Sequence, residues 1–171
     1  MKLKTFNPEG WAPQNYSHAI VGNGQLVTIS GQLGYDSDGK ISSSDFMQQA
    51  RSALENLMTV LRTAGGKAEH LTQLTWYVTD MPAFRKNGNS FIEIYSAIIG
   101  QHLPSMVMVE VTALIDSDAK IEVSAQALLP YRGLRPVKQS ALQILTASTS
   151  DIVNDRLEQL EQAMREIFSG D

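Results

Sequence analysis

The sequence predicts an α+β fold, in which one mixed β-sheet carries two helices packed on one face and is followed by a C-terminal helical extension. Three observations lead there. Short segments with strand-like alternation stand at both ends of residues 1–131, and two segments with helical spacing lie between them. Beyond Tyr131 the character of the chain changes. The expected division is an α+β domain over 1–131, a linker over 132–150 and an amphipathic helix over 151–171.

Composition sets the limits. The 171 residues suffice for one domain with a substantial core, and 43% apolar with 19% charged residues is the balance of a globular protein. No stretch approaches the ~20 apolar residues that cross a bilayer, which argues against a membrane role. The opening Met-Lys-Leu-Lys-Thr-Phe-Asn-Pro has no apolar core of a signal peptide, so a cytoplasmic location is the default expectation. The absence of cysteine removes disulfides, thiol catalysis and thiolate metal sites together. A net charge of −4 without any Lys/Arg run argues against a nucleic-acid partner, since phosphates are neutralised by clustered cations.

The elements follow in order. Lys2 to Phe6 is expected as a short edge strand, with Pro8, Gly10 and Pro13 in a loop after it. Ser17–Val21 and Gln25–Ser30 flank Gly22-Asn23-Gly24, residues that tolerate positive φ, and this predicts a hairpin. Asp45 with Gln48 has capping-box spacing, so a helix should begin near Ser44 or Asp45. Phe46, Ala50, Leu54, Leu57, Leu61 and Ala64 then recur every three or four residues until Gly65-Gly66.

Thr72 to Thr79 alternates Leu74, Trp76 and Val78 against Gln73, Thr75 and Tyr77, a strand that Asp80-Met81-Pro82 breaks. A second helix is expected from about Asn87–Asn89, with Phe91, Ile94, Tyr95, Ile98 and Ile99 on one face and Gly100 at its end. Met106 to Leu114 is apolar almost without a break, which suits a strand covered on both faces. Asp116-Ser117-Asp118 should turn it into a last strand, where Lys120, Glu122, Ser124 and Gln126 face away from Ile121, Val123, Ala125 and Ala127. That polar row meets water, a ligand or a partner subunit. Glu110, inside the apolar run, needs a partner if buried, and an ion pair at a subunit interface would supply one.

The tail is treated separately. Thr146-Ala147-Ser148-Thr149-Ser150 closes the linker, and Asp151 can cap a helix whose Val153, Leu157, Leu160, Met164 and Ile167 step by four, three, four and three. Each of those side chains contributes roughly 1.5–3 kcal/mol when fully buried. Ending the chain after Tyr131 is therefore expected to lower the melting temperature or the solubility. An unchanged melting curve and oligomer would make the tail an independent appendage.

Several segments, taken in order, resemble the reactive intermediate deaminase family (Rid, also YjgF-like or L-PSP-like proteins). They include Tyr16-Ser17-His18-Ala19, Thr28-Ile29-Ser30-Gly31-Gln32-Leu33-Gly34 and Gln49-Ala50-Arg51. Further along come Val78-Thr79-Asp80-Met81 with Phe84, Pro104-Ser105-Met106 with Val109-Glu110-Val111, and Ile121-Glu122 with Ala125. The resemblance implies a chorismate-mutase-like α+β fold and a homotrimer with small-molecule pockets in the clefts between subunits. No cofactor and no metal are expected; His18, His70 and His102 share no metal-ligand spacing.

Active members of that family hydrolyse reactive imines, tautomers of enamines such as 2-aminoacrylate, to keto acids and ammonia. In them an arginine two residues after the proline of the penultimate strand pairs with the substrate carboxylate, a task suited to a guanidinium fork. Here that position is Met106. By the same resemblance Tyr16, Ser30, Gly31 and Met106 are ligand-binding candidates, and Glu122 is the candidate catalytic carboxylate. The asparagine expected before the second helix falls on Gly88, between Asn87 and Asn89. The leading expectation is a Rid-like protein that binds a small metabolite, its deaminase activity lost or altered. The alternatives are an active deaminase using Arg85, Arg132 or Arg135 as a substitute anchor, and an L-PSP-type endoribonuclease.

Overall fold

The structure, a computed structural model, describes residues 2–12 and 14–131. The expected linker over 132–150 and helix over 151–171 lie outside the described residues.

Helix α1 (Phe46–Thr63) starts where its cap demands: Asp45 is extended and its Oδ1 accepts from the Gln48 N–H at 2.8 Å. It ends at Ala64, followed by Gly65 at φ 85°, the left-handed conformation that glycine adopts without strain. Phe46, Ala50, Leu54, Leu57 and Leu61 are buried on the sheet, as their spacing requires.

The strands are β1 (Lys4–Phe6), β2 (Ala19–Val21), β3 (Gln25–Leu33), β4 (Leu71–Val78), β5 (Ser105–Glu110) and β6 (Ile121–Leu129). The main sheet runs in the order β3-β6-β4-β5 and is mixed: β4 pairs parallel with β5, whereas β6 pairs antiparallel with both β3 and β4. One face carries the helices. On it Leu74, Trp76, Val78, Ile121 and Val123 meet α1 and helix α3 (Gly88–Ile98) in a single core. Trp76 is fully buried, its ring edge-on to Phe91 at 5.0 Å.

Three local expectations are corrected. The hairpin across Gly22–Gly24 does not form, because β2 pairs with β1 and the nine-residue β3 finds a longer partner in β6. A Cβ on Gly22 would collide with the Leu3 side chain, so glycine here lets Leu3 pack across the end of β2. β5 and β6 are not neighbours either, since β4 lies between them. Parallel pairing of β4 with β5 needs a helical crossover, and α3 with the short helix α2 (Met81–Lys86) supplies it. From sequence alone the start of α2 is expected only as a break. Its signals were Asp80, whose Oδ1 accepts from the Ala83 N–H, and the proline in the first turn.

The third correction concerns the apolar run. The strand ends at Glu110, and only its Met106 and Met108 side packs against the core. Val107 and Val109, paired with Thr75 and Tyr77, point to the helix-free face and are 42% and 40% exposed. Leu26, at 63% exposure, lies on the same face opposite Leu128. Glu110 finds its partner within the chain: Oε1 accepts from the Met81 N–H at 3.1 Å and caps the start of α2.

Candidate functional site

The candidate residues fall into two groups, and each is built by its own backbone. The first lies where β5 begins. Ser17, 3% exposed, donates from Oγ to the Leu103 carbonyl at 2.6 Å and from its N–H to the Pro104 carbonyl at 3.1 Å. These bonds fix the loop carrying Tyr16 against the strand carrying Met106. From the other side Tyr95 Oη donates to the His102 carbonyl at 2.8 Å, and His102 Nε2 donates to the Leu71 carbonyl at 2.7 Å. Burial raises the Tyr95 phenol well above its ordinary range, so it stays a neutral donor.

Here Tyr16 and Met106 line a cavity of about 660 Å³ together with Phe84, Phe91, Tyr95 and Met108. Gly88 lines it too, and a Cβ there would meet open space, whereas neither Asn87 nor Asn89 reaches the lining. Asn87 instead donates from Nδ2 to the Ala83 carbonyl and closes α2. Arg85 is exposed and outside the lining. Among the described residues no lysine or arginine lines this cavity.

The second group lies on the opposite face of the sheet. The β3–β6 register shifts between Ile29 and Gln32, and Ser30 and Gly31 form that bulge. Gln32 Nε2 donates to the Ser30 carbonyl at 3.2 Å and the Gly31 carbonyl at 3.1 Å, which holds the bulge's shape. Glu122 extends across Gly31, and a Cβ on that glycine would run into the carboxylate. Only a bare Cα allows the approach. Beside it stand Tyr35 and Asp116. Burial first, then the carboxylates of Asp116 and Glu122, raise the Tyr35 phenol above its ordinary range and keep it protonated. Among the described residues Glu122 makes no ion pair and no hydrogen bond.

Thus the chain brings Tyr16 to Met106, and Ser30 and Gly31 to Glu122, but keeps the two groups apart. Met106 pairs with buried Leu74, whereas Glu122 pairs with Tyr77 on the helix-free face. Sequence reasoning gave no site role to Tyr35, Asp116 and Met108, and met Phe84 only as a residue of the family match. Only Phe91 and Tyr95 carried a signal there, as helical neighbours four residues apart.

A mixed four-stranded sheet with helices on one face and an apolar cavity against an edge strand defines a chorismate-mutase-like α+β protein. The particular family follows from comparison. The family described as Endoribonuclease L-PSP matches residues 9–129, and the chain belongs to it, the YjgF/Rid family. A RutC family protein of Pyrococcus horikoshii is 35% identical over 113 residues, covering 66% of this chain and 85% of that protein. The human 2-iminobutanoate/2-iminopropanoate deaminase is 30% identical over 114 residues, covering 66% of this chain and 79% of the human protein. Among solved structures, a Rid-family protein of unknown function from Yersinia pestis superposes with a TM-score of 0.68 at 29% identity, covering 75% of this chain and 100% of its own.

Proposed function

We propose that this chain binds a small metabolite in a cleft between subunits of a homotrimer, and that the imine deaminase activity of relatives such as the human protein is lost or altered in it. The observation that carries this reading is the uncharged cavity around Met106. An imino-acid carboxylate entering it would give up water with no cation among the described residues to replace it.

The shared cleft is supported by the division of the site. Tyr16 and Met106 stand on the helix-bearing side of the sheet and Ser30, Gly31 and Glu122 on the helix-free side. One copy cannot fold the sheet to join them; a second copy laid against the helix-free face can. That face offers Leu26, Val107 and Val109 as apolar surface for a partner, and a cyclic assembly closes such a contact. In the completed cleft Met106 and Tyr16 of one subunit would wall the ligand, with Glu122 of the next beside it.

Sedimentation equilibrium tests the assembly, with a trimer the expected result. A stable monomer at micromolar concentration would sink the cleft. Keto-acid release from 2-aminoacrylate, generated by a serine dehydratase, tests the activity. Hydrolysis as fast as that of an arginine-bearing relative would sink the loss.

A further inference from the structure

The cavity beside Met106 is walled by rings. Among the described residues four aromatic side chains line it: Tyr16, Phe84, Phe91 and Tyr95. They are set in place before any ligand arrives. Phe91 stands edge-on between Trp76 and Phe84, each with centroids 5.0 Å away at 77°. Tyr16 stands edge-on to His18 at 5.3 Å, and His18 in turn to Trp11 at 4.8 Å. The Tyr95 ring is tied by its hydroxyl to the His102 carbonyl. Met106 and Met108 add two polarisable thioethers, which favour the edges and faces of rings.

Among the described residues the polar groups on the lining are all neutral. They belong to Asn15, Tyr16, Ser96 and Gln101, whose side chains make no hydrogen bond among the described residues. The volume of about 660 Å³ is ordinary for a site holding a small molecule and far more than a short imino acid needs. An anion loses hydration in such surroundings, whereas an uncharged ring gains contact on every side.

We infer that this cavity takes an uncharged aromatic or heteroaromatic small molecule, its ring against Met106, Met108 and the four aromatic side chains and its polar substituent on Asn15, Gln101 or the Tyr16 hydroxyl. The inference rests on the proposed reading of the Met106 cavity as a ligand site, and it names the ligand's class.

The test compares benzyl alcohol, benzoate and cyclohexylmethanol, probes of similar size, by ligand-observed NMR titration of the full chain. Benzyl alcohol is expected to bind saturably and about tenfold more tightly than benzoate, which corresponds to ~1.4 kcal/mol. Cyclohexylmethanol should bind several-fold more weakly than benzyl alcohol, because its ring has no π face. Met106→Arg should reverse the order of benzyl alcohol and benzoate. Benzoate equal to benzyl alcohol, cyclohexylmethanol equal to benzyl alcohol, or no saturable binding at all would each overturn the inference.

If Met106→Arg does not fold by circular dichroism, Phe84→Leu takes its place. It should weaken benzyl alcohol about fivefold, roughly 1 kcal/mol, and unchanged affinity would overturn the assignment to this cavity. Sedimentation of the same samples keeps the two proposals apart. A trimer that fails the probes removes the ring preference and leaves the shared cleft; a monomer that satisfies them does the reverse.

Discussion

Hydrolysis of 2-aminoacrylate-type imines by the wild-type chain is expected to run at least ~100-fold below that of an arginine-bearing relative at subsaturating substrate. The magnitude follows from one missing interaction. A bidentate guanidinium–carboxylate pair in a desolvated cleft is worth about 3 kcal/mol, and each ~1.4 kcal/mol is about tenfold in binding. The Met106 thioether supplies none of it, and among the described residues no cation lines the cavity. Met106→Arg is expected to recover part of the activity, because Tyr16 and Glu122 would remain in place. The measurement is keto-acid release coupled to a serine dehydratase, with and without the protein. Wild-type acceleration equal to that of an arginine-bearing relative would return Arg85, Arg132 and Arg135 to consideration as the anchor.

Gln49→Ala is expected to destabilise the fold by about 3 kcal/mol, the largest loss predicted for one polar side chain. Gln49 is fully buried on α1 and makes three hydrogen bonds. Nε2 donates to the Ser43 carbonyl at 2.7 Å and the Asp118 carbonyl at 2.9 Å, while Oε1 accepts from the Lys120 N–H at 2.7 Å. Alanine strands all three backbone groups, and about 1 kcal/mol for each, the low end of the cost of a buried group left unpaired, gives the total. For a protein of this size the loss is about 10 °C in melting temperature. The bonds also hold residues 116–120 against the start of α1, and Glu122 begins two residues later. The variant should therefore disturb the Glu122 side of the cleft more than the Met106 side. A fall below about 3 °C would show that other contacts, such as the 2.6 Å bond from Lys120 Nζ to the Ser44 carbonyl, hold this loop.

The sequence by itself determined what depends on near neighbours. The cap at Asp45, the buried row from Phe46 to Leu61, the stop at Gly65 and the alternation of β6 are all set within one or two turns or a few residues of strand. Met106 is legible for a related reason: a thioether has no charge in any fold, so its chemistry can be read before its surroundings are known. The ordered family motifs placed Tyr16, Ser30, Gly31 and Glu122 as candidates.

Tertiary structure decided how those pieces meet. Strands adjacent in sequence, β5 and β6, are separated by β4, because hydrogen-bond pairing between distant segments carries no periodic signal of its own. The same pairing sends Val107 and Val109 to an uncovered face that a continuous apolar run could not reveal. It places Tyr35 and Asp116 beside Glu122, residues far apart in the chain whose convergence depends on a bulge and a loop. It also gathers Phe84, Phe91, Tyr95 and Met108 around Met106. Alternation assigns each residue to one of two faces, but which face carries the helices is settled only when α1 and α3 pack. That packing is what leaves Met106 and Glu122 on opposite sides of one sheet.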